Sequence, residues 1–147
     1  MSLSHAELEK LLEAARMAAK HAYAPYSKLP QGAALLTDSG EIFTGASAEF
    51  ATYGGSISAD IAALVNAMNA GKRKFKALCV QPFSYPSGVA RQFFAEFGIA
   101  LTVVAPINKV GTASENSQDD ASQYRTIDLQ SLLPEHFGPA NLEAADK

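Results

Sequence analysis

Residues 22–35 read AYAPYSKLPQGAAL, and this stretch marks the place where an opening helix gives way to a first strand. Pro25 disfavours helical geometry at the residue before it, so the sequence predicts that the helix ends near Tyr23. The apolar residues that follow Gly32 predict a strand over residues 32–37. The stretch therefore joins a helix to the first strand of a sheet.

The beginning of the opening helix carries a capping pattern. Ser4 is a predicted N-cap, and Glu7 follows three residues later, as a capping box requires. Apolar residues then recur at helical spacing and predict an apolar stripe along the helix. The stripe consists of Leu8, Leu11, Leu12, Ala15, Ala18, Ala19 and Ala22.

Downstream of residues 22–35, short strands alternate with helices. The sequence Asp-Ser-Gly at 38–40 predicts a tight turn that closes a β-hairpin. This order of elements predicts an α/β protein in which helices flank a mixed sheet. The remaining predicted strands are 41–46, 76–81, 100–105 and 125–129, and the predicted helices are 57–70 and 87–97, with a last helical turn at 130–133.

Two downstream segments have an unusual composition. The predicted helix 57–70 is apolar on more than one face and is therefore predicted to be buried. Residues 108–123 are rich in Ser, Asn, Asp, Gln and Gly, and are predicted to form a flexible loop. The 147 residues together are predicted to form a single domain, 1–147.

The composition argues against several classes of function. The net charge is −3 and there is no basic run, so we expect no nucleic-acid partner. The lone cysteine, Cys79, lies in an apolar stretch and is predicted to be a buried thiol, which leaves no disulfide framework within one chain. We see no long apolar run and no signal peptide, and we therefore expect a cytoplasmic protein with no membrane partner.

Several separate motifs occur in order along the chain. They are the stretch at 22–35, GEIFTG at 40–45, GKRKFKA at 71–77, the Arg-Gln and Glu-Phe pairs at 91–92 and 96–97, and LLPEHFGP at 132–139. Together they resemble the small homotetrameric cytidine deaminases over nearly the whole chain apart from 108–123. The resemblance implies a three-layer α-β-α cytidine deaminase-like fold with a mixed five-stranded sheet, and it implies a homotetramer.

The resemblance also places the family's zinc site on two segments, SISADI at 56–61 and PSGVARQ at 86–92. A zinc deaminase needs a Cys/His-x-Glu motif followed by a Pro-Cys-x-x-Cys motif. The three ligand positions fall here on Ser58, Ser87 and Ala90. A serine hydroxyl is not ionised near neutral pH, and alanine offers no ligand atom. We therefore expect no zinc bound in the family's way, and no cofactor.

Two neighbouring positions differ from the family as well. The resemblance places the general acid/base glutamate on Asp60, which is one methylene shorter. It places the arginine that supports the zinc thiolates on Ile61, which fits a neutral pocket once those thiolates are absent. The joint change of ligand and supporting positions indicates a site re-optimised without metal.

The remaining site residues are those that the resemblance implies for a nucleoside. Ser47 and Glu49 occupy the positions of the family's ribose-binding Asn and Glu, and Leu29 occupies the position of an aromatic that packs on the substrate. Glu49 could equally be a surface group, and Ser58 and Ser87 could be helix caps. The predicted ligand-binding set is Leu29, Ser47, Glu49, Ser58, Ala59, Asp60, Ser87 and Phe137, with Phe137 contributed to a neighbouring protomer.

Three functions stay open from the sequence. The first is a homologue without zinc and without deaminase activity that keeps a pocket for a nucleoside or another small polar ligand. The second is a structural or regulatory subunit of a deaminase-like oligomer, and the third is an enzyme with altered chemistry that uses Asp60 and Glu49 as acid and base. In the first, helix starts near Ser58 and Ser87 favour an anionic ligand, whereas an inward Asp60 favours ordered water.

Overall fold

The computed structural model describes residues 2–107 and 121–143, and in this part of the chain a five-stranded mixed sheet lies at the centre. Its strands lie in the order β2-β1-β3-β4-β5. They are β1 (Gly32–Thr37), β2 (Ile42–Ala46), β3 (Phe75–Gln81), β4 (Thr102–Pro106) and β5 (Tyr124–Asp128). The helices are α1 (His5–Ala19), α2 (Ala59–Asn69), α3 (Gly88–Ala95), α4 (Leu129–Leu132) and α5 (Pro139–Glu143).

The predicted three-layer α/β architecture is confirmed. Strands β3 and β4 are parallel, and the other neighbouring pairs are antiparallel. One face of the sheet packs against α1 through a buried cluster that includes Leu11, Leu36 and Cys79. The opposite face packs against α2 and α3 through a second cluster that includes Leu64 and Phe94. All six residues of β1 are buried, as expected for a central strand covered on both faces.

The capping box at the start of α1 is confirmed. The Glu7 amide donates to Ser4 Oγ at 3.2 Å, and the Ser4 amide donates to Glu7 Oε2 at 2.8 Å. The predicted end near Tyr23 is wrong, because α1 ends at Ala19. The backbone of Tyr23 instead pairs with the segment after β2: its amide donates to the Ser47 carbonyl at 2.9 Å.

The second helix begins later than predicted and is not buried on every side. Ile57 exchanges two backbone hydrogen bonds of 2.9 Å with Ala48, so it is held in an isolated bridge and α2 begins at Ala59. Ala63 and Leu64 are buried, but Val65 on the outer face is 45% exposed in the single chain. The other predicted element ends differ from the observed ones by one or two residues.

Part of the predicted flexible loop 108–123 is ordered. Ala121–Gln123 form a short 3-10 helix, and Ala121 is buried against the α1 side of the sheet. Residues 108–120 lie outside the described residues. In residues 2–107 and 121–143 no helix is both long enough and apolar enough to cross a bilayer.

Candidate functional site

The N-terminal ends of α2 and α3 meet at a cavity of about 190 Å³. The N-cap residues of both helices, Ser58 and Ser87, are part of its wall. The rest of the wall comes from the entry to β1, from β3 and from the segment that follows β3. The lining residues are Gln31, Ser58, Ala59, Asp60, Val80, Ser84, Tyr85 and Ser87.

Four of the predicted site residues lie in this wall: Ser58, Ala59, Asp60 and Ser87. The other four, Leu29, Ser47, Glu49 and Phe137, are not among the lining residues of the single chain. Leu29 and Phe137 are 67% and 58% exposed. Asp60 and Glu49, considered as an acid/base pair, are therefore not brought together in this cavity.

Asp60 is a buried carboxyl group in the cavity wall, with 5% of its surface exposed. Its Oδ1 accepts hydrogen bonds from the Ser58 hydroxyl and, at 2.9 Å, from the Ile61 amide. Its Oδ2 accepts no hydrogen bond from any described residue, and no described cation forms an ion pair with it. The Ile61 amide lies in the first turn of α2, where backbone N–H groups stabilise a negative charge.

The two serines are used differently. Ser87 caps α3 as predicted, because its Oγ accepts a hydrogen bond of 3.2 Å from the Ala90 amide. Ser58 is the N-cap residue of α2, but its hydroxyl donates to Asp60 and makes no capping hydrogen bond with a backbone amide of α2. Ser87 therefore stabilises the start of α3 directly, whereas Ser58 acts on the start of α2 through Asp60, whose Oδ1 accepts the Ile61 amide.

The donors at this position do not match the ligand set of a zinc site. Zinc sites use thiolate, imidazole and carboxylate ligands, three or four at a time. Here the wall offers one carboxylate, Asp60, beside three serines and Tyr85, whose side chains carry hydroxyl groups, and Ala90 is fully buried. Within the described parts of the chain no group of three His, Cys, Asp or Glu side chains is placed to hold a metal ion.

Glu49 stabilises a turn beside the opening helix. Its Oε2 accepts hydrogen bonds from the Tyr26 and Ser27 amides at 3.2 and 3.0 Å, and its Oε1 accepts one from the Ser27 hydroxyl. The Ser27 hydroxyl, followed by the Ser27 amide, holds the pKa of Glu49 below its usual 4.5. Both carboxylate oxygens, which the resemblance assigned to a ribose, are thus engaged in the turn.

We expect the variant Glu49→Gln to lose part of the acid sensitivity of folding. The folded pKa of Glu49 lies below the unfolded value, so its contribution is present above about pH 4.5 and is lost as the pH falls below that value. Melting temperatures from pH 7 to 3 should therefore fall less steeply for Glu49→Gln than for the parent. The matched control is Glu13→Gln on the exposed side of α1. Equal pH profiles for the parent and Glu49→Gln would contradict the assignment.

Four cavity residues were not predicted from the sequence as site residues: Gln31, Val80, Ser84 and Tyr85. The strand register explains their position, because Gly32 pairs with Gln81 and so places Gln31 beside the segment that follows β3. The backbone of Gln31 is also held in place, because its backbone amide donates to Ser47 Oγ at 3.1 Å. In the sequence, Gln31 stands out as a polar residue directly before a buried strand, and this was the signal that could have placed it in the cavity wall.

The sheet order, the flanking helices and a cavity at two helix starts define a cytidine deaminase-like α/β domain. Residues 1–79 match the family described as the cytidine and deoxycytidylate deaminase zinc-binding region. A cytidine deaminase from Sporosarcina psychrophila is 42% identical over 144 residues, which cover 95% of this chain and 97% of the relative. A probable cytidine deaminase from Dictyostelium discoideum is 41% identical over 101 residues, covering 65% and 69%. The chain belongs to the cytidine and deoxycytidylate deaminase family.

Solved structures give the same result for the fold. The cytidine deaminase from Burkholderia pseudomallei superposes with a TM-score of 0.74 at 36% identity, covering 92% of this chain and 100% of that one. The cytidine deaminase from Mycobacterium tuberculosis superposes with a TM-score of 0.72 at 29% identity, covering 88% and 96%.

Proposed function

We propose that this chain is a metal-free member of its family that does not deaminate cytidine and that binds a nucleoside or another small polar molecule in the cavity. The observation that carries the proposal is the chemistry of Ser58, Ser87 and Ala90. These residues stand where the family resemblance places the zinc ligands, and none of them has a thiol or an imidazole.

The local hydrogen bonds support the same conclusion. The Ser58 hydroxyl is engaged with Asp60, and the Ser87 hydroxyl is engaged with the Ala90 amide, so both helix starts are stabilised by the protein's own groups. Asp60 is shorter than the family's glutamate, and a small displacement of a proton-transfer group reduces catalysis strongly. Ile61 supplies no charge that would balance anionic ligands.

Ligand binding is supported by the cavity itself. Its wall combines three hydroxyl-bearing serines and a carboxyl group with apolar surface from Val80. A volume of about 190 Å³ lies below the roughly 300–1,000 Å³ of typical small-molecule sites. It therefore suits a single ring or a group of that size, and the rest of a nucleoside would extend through the mouth.

The proposal predicts negligible zinc and no cytidine turnover. Protein purified without added metal should contain far less than one zinc per chain by elemental analysis, because the donor set lacks thiolate and imidazole. An ultraviolet assay should detect no loss of cytidine or deoxycytidine, while the S. psychrophila relative serves as a parallel control. Thermal stabilisation by a nucleoside at millimolar concentration should reveal binding.

About one zinc per chain, or robust metal-dependent deamination at low protein concentration, would overturn the proposal. Absence of thermal stabilisation by cytidine, deoxycytidine and uridine would remove its nucleoside part and leave the other small polar ligands.

Exposed aromatic residues support assembly into the homotetramer that the resemblance implies. The Tyr23 and Phe50 rings lie 6.4 Å apart, and the Tyr26 and Tyr53 rings lie 5.9 Å apart. Tyr53 is 77% exposed in the single chain. A surface group of this kind is typical of a protein interface.

Light scattering at micromolar concentration is expected to give four times the chain mass of 15.5 kDa. The paired variant Tyr53→Ser with Phe50→Ser should shift the mass toward smaller species, because it removes aromatic surface from the interface. Lys10→Ser on the exposed side of α1 is the control. A monomer mass for the parent would refute the tetramer.

A further inference from the structure

The cavity wall holds two acceptor oxygens to which no described residue donates. One is Asp60 Oδ2, since both hydrogen bonds to this side chain go to Oδ1. The other is Gln31 Oε1, since the hydrogen bonds of the Gln31 amide group all go through Nε2. Both residues line the cavity.

The orientation of the Gln31 amide follows from its partners. Its Nε2 donates to the Pro82 carbonyl at 3.1 Å and to Ser84 Oγ at 3.0 Å. A backbone carbonyl can only accept a hydrogen bond, so the nitrogen must face Pro82 and the oxygen must lie on the other side of the amide. The backbone amide of Gln31 is also held, by Ser47 Oγ at 3.1 Å.

The charge of the lining residues is negative, and no described Lys, Arg or His forms an ion pair with Asp60, although Arg125 Nη2 donates to the hydroxyl of the lining residue Tyr85 at 3.5 Å. Asp60 is the acidic residue of the lining, and Lys, Arg and His do not occur among the lining residues. Only 5% of Asp60 is exposed, no described cation forms an ion pair with its carboxylate, and a bound cation would stabilise it. The Asp60 carboxylate would repel an anion, and it already accepts the Ile61 amide at the start of α2.

We propose that the cavity binds a small organic cation of the amidinium or guanidinium class. This inference rests on the proposed function as a ligand-binding protein and specifies its ligand. A planar cation presents N–H donors along several edges, so one group can donate to both Asp60 Oδ2 and Gln31 Oε1. It is less strongly hydrated than an ammonium group, and aromatic rings attract such cations, so Tyr85 among the lining residues is a suitable neighbour.

The test compares methylguanidinium with its neutral isostere N-methylurea and with inorganic phosphate by titration calorimetry on the parent protein. Methylguanidinium should bind about tenfold or more tightly than N-methylurea, because a hydrogen bond to a charged group is the stronger kind. Backbone amide signals of Ile61 and Ser87 should shift in NMR spectra. N-methylurea binding equally well, or phosphate binding more tightly than methylguanidinium, would overturn the inference.

Two variants separate the contributions of the two oxygens. Asp60→Asn keeps the shape and removes the charge, so methylguanidinium should bind about tenfold more weakly while N-methylurea is unchanged. Gln31→Leu removes the second acceptor and should weaken methylguanidinium binding by a smaller factor. The control Glu41→Gln changes an exposed carboxylate paired with Lys72 and should leave binding as in the parent. Unchanged affinity in folded Asp60→Asn would overturn the inference.

If Asp60→Asn does not fold by circular dichroism, the isostere comparison on the parent and the Gln31→Leu variant decide the question. The outcomes also separate this inference from the proposed function. Cytidine binding without turnover, combined with no methylguanidinium binding, overturns the cation and leaves the proposed function standing. Zinc-dependent deamination overturns the proposed function, while tight methylguanidinium binding that depends on Asp60 would still support the cation.

Discussion

The triple variant Ser58→Cys, Ser87→Cys and Ala90→Cys is expected to take up about one zinc ion per chain, where the parent takes up almost none. Three thiolates would then stand at the starts of two helices, where the exposed backbone N–H groups favour negative charge. Elemental analysis and the melting temperature with and without a chelator measure the gain. A chelator should lower the melting temperature of the triple variant and leave that of the parent unchanged.

Deamination is expected only when Asp60→Glu is added to the three cysteines. The change restores the length of the acid/base side chain, and a zinc deaminase needs both the metal and that glutamate. Cytidine turnover should then rise from undetectable by several orders of magnitude in the ultraviolet assay. Adding Ile61→Arg should raise zinc retention further, because a cation near the thiolates balances their charge.

The separate variants supply the controls. Asp60→Glu alone is expected to bind no zinc and to show no turnover. Ala90→Cys alone tests whether a sulfur atom fits at a position that is 0% exposed, since an added atom in a packed interior can be destabilising. Turnover by Asp60→Glu alone, or a folded triple variant that excludes zinc, would show that these positions are not the remnant of a metal site.

The order of the elements was predictable from the sequence because the local signals agree with the fold. The capping box at Ser4 begins α1, and the apolar run 32–37 is the observed β1. The end of α1 and the start of α2 were not predictable, because pairing outside each helix determines them. Tyr23 and Ile57 both pair with Ala48 in the segment after β2, so the propensity of the helical residues does not fix where α1 stops and α2 starts.

The residues of the candidate site were likewise predictable only in part. Ser58 and Ser87 could be placed near each other because the resemblance brings the two helix starts together, and both line the observed cavity. Gln31 could not be placed, because its amide is fixed by the Pro82 carbonyl, 51 residues away. The resemblance therefore places Ser58 and Ser87 at one site, and the pairing of β1 with β3 adds Gln31 to the cavity wall.

The variant Gly45→Ala is expected to destabilise the chain by about 3 kcal/mol or more, at the upper end of overpacking effects. Gly45 lies on β2 directly beneath α2. A Cβ atom there would come within 2.2 Å of the Ala63 nitrogen and 2.5 Å of the Ala59 carbonyl oxygen, both backbone atoms of α2. No rotamer change relieves such a contact, so the helix must move away from the sheet. Urea unfolding at pH 7 measures the loss.

Gly88→Ala is the matched control because it adds the same methyl group without a clash. A Cβ at Gly88, the first residue of α3, meets nothing within 4 Å, and alanine favours helix over glycine by up to about 1 kcal/mol. Its stability should therefore be unchanged or slightly higher. Since α2 carries Asp60 in its first turn, Gly45→Ala should also weaken ligand binding at the cavity in whatever fraction stays folded. If Gly45→Ala and Gly88→Ala had equal free energies of unfolding, α2 could move away from β2 without loss of stability. The contact of α2 with Gly45 would then not determine the position of Asp60.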